Sequence, residues 1–247
     1  MRVAAGAASA VIALTVYARV ARAEPLVLGR GDVAAQVVVE ADLATFAKPL
    51  SIAPDAWVGV TDALTIGWVD SDAALDLVND GANACFARDA PFGCPPHVSG
   101  IDARYLVLDW LAPRVRVLAK GLSPFEPAIT IGALARLLRR GRVELTADPY
   151  VQLGLANTDR GNASSIVLPL FATVTVVPRV SVTGETGYVS DVSVWSDGYH
   201  IPLSATVDAK LAPHVEAALE AGFTSLVGPQ NNVKQREAWL VLRVTSF

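Results

Sequence analysis

The chain has 247 residues, 52% of them hydrophobic and only 18% charged, with a mean hydropathy of +0.41 and a formal net charge of −4. The acidic balance excludes the basic surface that a nucleic-acid partner needs. Beyond the first two dozen positions, no apolar run reaches the about 20 residues of a membrane-crossing helix. Hydrophobicity this high, dispersed in alternation with polar residues, is the pattern of strands with one oily and one polar face.

Residues 1–23 read as a signal peptide: Arg2, an apolar run from Val3 to Tyr17, and the small residues of Ala21-Arg22-Ala23 before an expected cleavage site. Residues 24–247 are then one exported domain. Export suits Cys85 and Cys94, which share one stretch and are expected to form a disulfide in an oxidising compartment. Two thiols with only His97 nearby fall short of a tetrahedral metal site, so no metal and no other cofactor is expected.

Taken in order, alternation predicts strands over 33–46, 50–60 and 64–69, the last two meeting at Thr61-Asp62-Ala63. Residues 70–100 form the longest irregular stretch, a surface loop holding Asp70, Asp72, Asp76, Asp80 and Asp89 against Arg88, with both cysteines. Strands over 101–111 and 114–122, joined by Ala112-Pro113, alternate poorly because Asp109 falls among apolar positions. Strands over 128–138, 142–156, 164–177 and 179–190 follow, then 199–211, 215–223 and 237–247. Pro149, Pro169 and Pro202 fall inside these strands, where each removes a ladder donor, and are expected at bulges or kinks.

The clearest hairpin is 199–223. Ile201, Leu203, Ala205, Val207, Ala209 and Leu211 share a face with Val215, Ala217, Leu219, Ala221 and Phe223, while Ser204, Thr206, Asp208, Lys210, Glu216 and Glu220 occupy the other. Opposite charges favour the register that sets Lys210 against Glu216, Thr206 against Glu220 and Leu211 against Val215. An apolar face of this kind turns inward in a soluble sandwich and outward to lipid in a membrane barrel. The connections decide, since those after even strands are short and most of those after odd strands are longer. Such parity belongs to barrels with tight turns at one rim and loops at the other. The expected fold is all-β, a single antiparallel up-and-down transmembrane β-barrel of about twelve strands, with 70–100 as a long acidic extracellular loop.

The segment Ala238-Trp239-Leu240-Val241-Leu242-Arg243-Val244-Thr245-Ser246-Phe247 closes an extended strand on a terminal Phe, and here the chain resembles Gram-negative outer-membrane β-barrel proteins. The resemblance implies that Phe247 is the insertion signal read by the barrel-assembly machinery, and that the chain resides among outer-membrane lipid and lipopolysaccharide. It departs at Arg243, which falls where an apolar residue is expected, while Leu240, Leu242 and Val244 run in the other phase. Girdles of rim aromatics are expected from Phe46, Trp68, Tyr188, Tyr199 and Phe223 at the outer ends and from Trp57 and Phe247 at the inner ends.

The residues expected to line the interior are Glu40, Asp42, Arg136, Glu144, Asp148, Arg179, Glu185, Asp208, Lys210, Glu216 and Glu220. A mixed set can cross-link the walls or line a wet pore. Twelve tilted strands about 4.8 Å apart close a ring roughly 24 Å across, leaving on the order of 10 Å inside the side chains. The expected function is therefore a narrow, porin-like channel for ions or small polar solutes, its outer mouth shaped by the acidic loop. The alternatives are a closed structural or adhesive barrel and a secreted periplasmic β-sandwich acting as a binding module. A lipid hydrolase using His200 and Ser204 ranks last, because both fall on the inward face, so no catalytic residue is expected.

Overall fold

A computed structural model describes residues 25–42, 50–71, 84–86, 98–122, 124–160, 162–229 and 236–245. Its strands are β1 (Val33–Asp42), β2 (Leu50–Gly59), β3 (Leu64–Val69), β4 (Ala84–Phe86), β5 (Ser99–Tyr105), β6 (Leu111–Leu122) and β7 (Phe125–Arg140). They continue as β8 (Val143–Ala147), β9 (Tyr150–Gly154), β10 (Ser165–Val177), β11 (Val180–Asp191), β12 (Ile201–Ala212), β13 (Val215–Val227) and β14 (Arg236–Thr245). All pairings are antiparallel, and β1 pairs with β2 on one side and β14 on the other, so the sheet closes on itself. Strands β8 and β9 share one place between β7 and β10. Strand β4 lies beside β2 beyond the end of β3. The fourteen strands thus fill twelve places round the ring.

At one rim the connections are 60–63, 106–110, 141–142, 178–179 and 213–214; at the other they are 43–49, 70–98, 123–124, 155–164, 192–200 and 228–235. The parity expected from the sequence therefore holds, with 123–124 the one short loop. The turn expected at Ala112-Pro113 lies instead at 106–110, where Leu108 and Leu111 bridge around Asp109 and Trp110. Asp109 interrupts the alternation because it belongs to that turn, and Ala112 and Pro113 are inside β6.

In the β12–β13 hairpin Lys210 faces Glu216 and Thr206 faces Glu220, as the charges require. The next pair is Ala212 with Val215, so Leu211 is the extra residue of a bulge, not the partner of Val215. The turn shortens to the two residues Pro213-His214. Pro202 sits at a second register shift, between Ile201 and Leu203. Pro149 separates β8 from β9 without changing register, and Pro169 on β10 accepts a hydrogen bond from the Asp148 backbone N–H at 3.3 Å. These two prolines thin the ladder on adjacent strands at one spot.

The faces are as expected. Val37, Ile66, Ile101, Val117, Ile131, Leu153, Leu168, Val174, Leu203, Val207 and Leu219 are exposed on the outside of the ring. Trp68, Phe125 and Trp195 lie near the loop rim, and Tyr105 and Trp110 near the turn rim, all exposed. Tyr188 and Tyr199 stack with centroids 5.6 Å apart. Trp57 is not part of a girdle, because its position on β2 alternates to the inside. Residues 1–23, Phe46, Cys94 and Phe247 lie outside the described residues, and so do the signal peptide, the disulfide and the insertion signal; Cys85 is placed only as the β4 residue paired with Ser51. Arg243 is in register with Gln36 on β1 and Glu216 on β13, so β14 keeps Leu240, Leu242 and Val244 in phase with Val39, Val37 and Ala35, on the apolar alternation.

The interior is filled unevenly. On β1 to β6 and β9 most described inward side chains are buried, with one apolar cluster of Val69, Val98, Leu118 and Ala128 against Trp57, while Arg136, Glu144 and Thr146 nearer the turn rim are half-buried. On β10 to β13 Ser165, Val167, Val189, Ser204 and Ala218 are buried too, but Thr173, Thr175, Thr183, Glu185, Thr206, Asp208, Glu216 and Glu220 are only half-buried.

An arginine near the bilayer midplane costs about 2–4 kcal/mol on the lipid face of such a barrel. Leu153→Arg, Leu168→Arg or Val207→Arg is therefore expected to lower stability by that amount, and Thr173→Arg or Thr206→Arg by less. Urea unfolding in lipid vesicles, followed by the heat-dependent mobility shift in SDS, measures the difference.

Candidate functional site

Ladder register sets one inward residue per strand side by side: Trp57, Gly67, Asp102, Arg116, Thr130, Gln152 and Ser165 form a continuous row from β2 to β10. Asp102 is its centre. Its carboxylate, fully buried, accepts from Arg114 Nε at 2.6 Å, Arg104 Nε at 2.7 Å, Trp57 Nε1 at 3.2 Å and Arg116 Nε at 3.4 Å. Arg114 and Arg116 also reach Asp148 in the β8–β9 interruption, the second at 3.8 Å. The guanidinium of Arg104 lies 5.5 Å from the Trp57 ring centroid, and that of Arg116 5.6 Å from Tyr150. Buried charges persist only when paired and hydrogen-bonded, and here two carboxylates hold three guanidinium groups across β5, β6 and the β8–β9 junction.

Two glycines let these long side chains cross a strand. A Cβ on Gly67 would lie 2.0 Å from Trp57 Cδ1, so the indole reaches Asp102 only because β3 has no side chain there. Gly132 stands opposite Arg114, and a Cβ on it would come within 2.4 Å of Pro149 O and 2.5 Å of Tyr150 Cβ. Strand β7 is thereby bare where Arg114 passes over it to Asp148.

A second buried carboxylate, Asp55 on β2, accepts from Gln36 Nε2 at 2.7 Å, from the backbone N–H groups of Asp70 and Ser71 at 2.7 and 3.0 Å, and from Ser71 Oγ at 2.5 Å. Asp70 and Ser71 are buried, so the acidic connection begins by bending over the interior.

Of the residues expected inside, Asp148 joins the arginine cluster, while Arg136 and Glu144 pair at 3.2 Å nearer the turn rim. Arg139 stands 3.9 Å from the other oxygen of Glu144. Glu185, Asp208, Glu216 and Glu220 line the half-open wall; Ser204 Oγ donates to Glu220 Oε1 at 2.5 Å and lies 3.4 Å from Glu185 Oε2. Lys210 binds Glu216 at 3.2 Å on the turn rim. Arg179 is a correction: it occupies the turn 178–179, exposed, because β11 begins at Val180. Glu40 and Asp42 are placed by backbone only, in register with Trp239 and Glu237. The Ser204 hydroxyl is thus engaged by Glu220 and Glu185.

Sequence reasoning missed Asp55, Asp102, Arg104, Arg114 and Arg116. The signal was present in Arg114-Val115-Arg116-Val117, a strict alternation of charge and oil, but the misplaced turn hid its phase.

No protein-family model matches the chain, and no curated protein matches it. Among solved structures, it is similar to the COG4313 outer membrane channel from Pseudomonas putida F1, 13% identical over 92% of this chain and 100% of that one, with TM-score 0.57. It is similar also to the NanC porin, 7% identical over 86% and 98% with TM-score 0.57. A third similar structure is the KdgM porin in complex with disordered oligogalacturonate, 9% identical over 86% and 99% with TM-score 0.55.

Removing one partner from a buried ion pair costs about 3–5 kcal/mol. Asp102→Asn is expected to fall in that range. Gly132→Ala is expected to destabilise clearly, and Gly184→Ala, whose added Cβ meets nothing within 4 Å, hardly at all. Equilibrium unfolding in detergent compares the three. The ring, its oily outside and its charged inside are the fold of outer-membrane porins and channels.

Proposed function

We propose that the chain is an outer-membrane channel, narrow and open along the β10–β13 wall, that passes small cations and small polar solutes. The observation that carries this reading is the division of the interior. One side is the more closely packed, around the Asp102 cluster and its apolar neighbours, and the other presents hydroxyls and carboxylates that water can reach. The turn rim faces the periplasm and the loop rim the outside, as short and long connections are distributed in such barrels.

The sign of selectivity follows from which charges meet the passage. Arg104, Arg114 and Arg116 are bound to Asp102 and Asp148, and Arg136 to Glu144, so they offer no open cationic track. The half-open wall carries Glu185, Asp208, Glu216 and Glu220 with Lys210 at its rim. The KdgM porin of the similar structure is in complex with an oligogalacturonate; the paired arginines of this chain favour a different, cationic or neutral, solute. The packing of the β1–β9 half favours a second reading, a closed structural barrel, in which the oily exterior still seats in lipid and lipopolysaccharide.

Planar bilayers holding the purified protein under a KCl gradient separate the two. A reversal potential of cation-selective sign is expected at 0.1 M salt, where the screening length is about 10 Å, and a smaller one at 1 M, where it is about 3 Å. The double variant Glu185→Gln with Glu220→Gln is expected to shift that potential toward zero. No conductance at any salt would select the closed barrel.

A further inference from the structure

Ahead of β1 the chain does not run away from the ring. Asp32 N–H donates to Gly29 O at 3.0 Å, and Gly31 takes φ +86°, so 29–32 is a tight reversal that only a residue without Cβ accommodates easily at position 31. The turn is fastened to the end of β2: Gly31 N–H donates to Gly59 O at 2.8 Å, Gly59 N–H to Asp32 O at 2.9 Å, and Arg30 N–H to Asp62 Oδ1 at 3.1 Å. Gly59 is itself required, since a Cβ there would lie 1.9 Å from Gly29 O.

The reversal sends Leu26, Val27 and Leu28 back under the barrel, where all three are more than nine-tenths buried. Leu28 N–H donates to Thr65 Oγ1, on the inward face of β3, at 2.7 Å. Leu26 and Val27 pack with inward Ala112 of β6, with Leu106 of the neighbouring turn and with Leu134 of β7. One short segment therefore touches β2, β3, β6, β7 and the β5–β6 turn, all at the turn rim. Its apolar side chains lie at the turn rim of the more closely packed side.

We propose that residues 25–30 are the constriction of the turn-end mouth: an apolar latch that shuts the β2–β7 side and confines solutes to the acidic β10–β13 wall. The proposal deepens the channel reading and rests on it. Hydrophobic constrictions exclude ions by excluding water, so the residue types fit the role. Thr65 is the positioning residue, and Leu26 and Val27 are the barrier.

The test compares unitary conductance in planar bilayers for the unaltered protein, for Leu26→Ser with Val27→Ser, and for Thr65→Val, which keeps the volume and removes the acceptor for Leu28. Heat-dependent mobility in SDS establishes that each has folded. The double variant is expected to conduct about twofold more through its wetted mouth, with a larger size limit for polyethylene glycol exclusion, and Thr65→Val to fall between. Conductance in the double variant alone, with the unaltered protein silent, selects the closed barrel and overturns a latch that leaves the β10–β13 wall open. Equal conductance and equal size limits in all three would overturn it and leave the channel standing. Silence in all three would overturn the channel reading itself, and the constriction with it.

Discussion

Everything in this protein depends on β1 finding two partners. A strand in lipid has no water to satisfy an unpaired edge, and each unsatisfied backbone group there costs several kcal/mol. Nine residues of β1 are in register with β14 and nine with β2, so the sheet has no edge to protect. Once the ring is closed, the alternation of side chains becomes a division between lipid and interior. The mean hydropathy of the chain, high for a protein without a membrane-crossing helix among its described residues, is then the composition of an outer coat.

The interior answers to a different constraint. Inward side chains converge on a limited bore, and a charge held there must find its counter-charge there. On one side this produces the Asp102 network, which rigidifies a wall by joining strands that are not neighbours: β2 to β5 across a glycine of β3, and β6 to the β8–β9 junction across a glycine of β7. The same junction holds Pro149 and faces Pro169, so side-chain ion pairs span the place where the backbone ladder is thinnest. The other wall sets Thr173, Thr175, Thr183 and Thr206 among its carboxylates and stays less buried.

Most of the fold was legible because a period of two is local. Strand β3 falls on the residues alternation selects, and β10 and β11 differ from the expected spans by a single residue at their starts or ends. The failures were also local. Asp109 sits in a turn yet was read as a strand residue, and the phase of β5 and β6 was lost with it, hiding Asp102, Arg114 and Arg116. Position near a strand end alone makes Trp57 a rim aromatic, whereas its partner across β3 is a buried carboxylate. No pattern in a single strand announces that Gly67 leaves room for it, because that contact joins residues 45 apart in the chain. The inward turn at Gly29–Asp32 escaped notice for the same reason: its seat is built from Gly59, Thr65 and Ala112.

Joining the latch to β1 has a mechanical consequence. The reversal before Val33 is bonded to Gly59 at the end of β2, while β1 itself forms the seam with β14. The smallest slip of β1 that keeps its faces unchanged is two residues, a travel of about 7 Å along the strand. Such a slip would carry Leu28 beyond the reach of Thr65 and withdraw Leu26 and Val27 from under β6 and β7. The register of the seam and the seat of the latch are therefore fixed together, since one strand carries both.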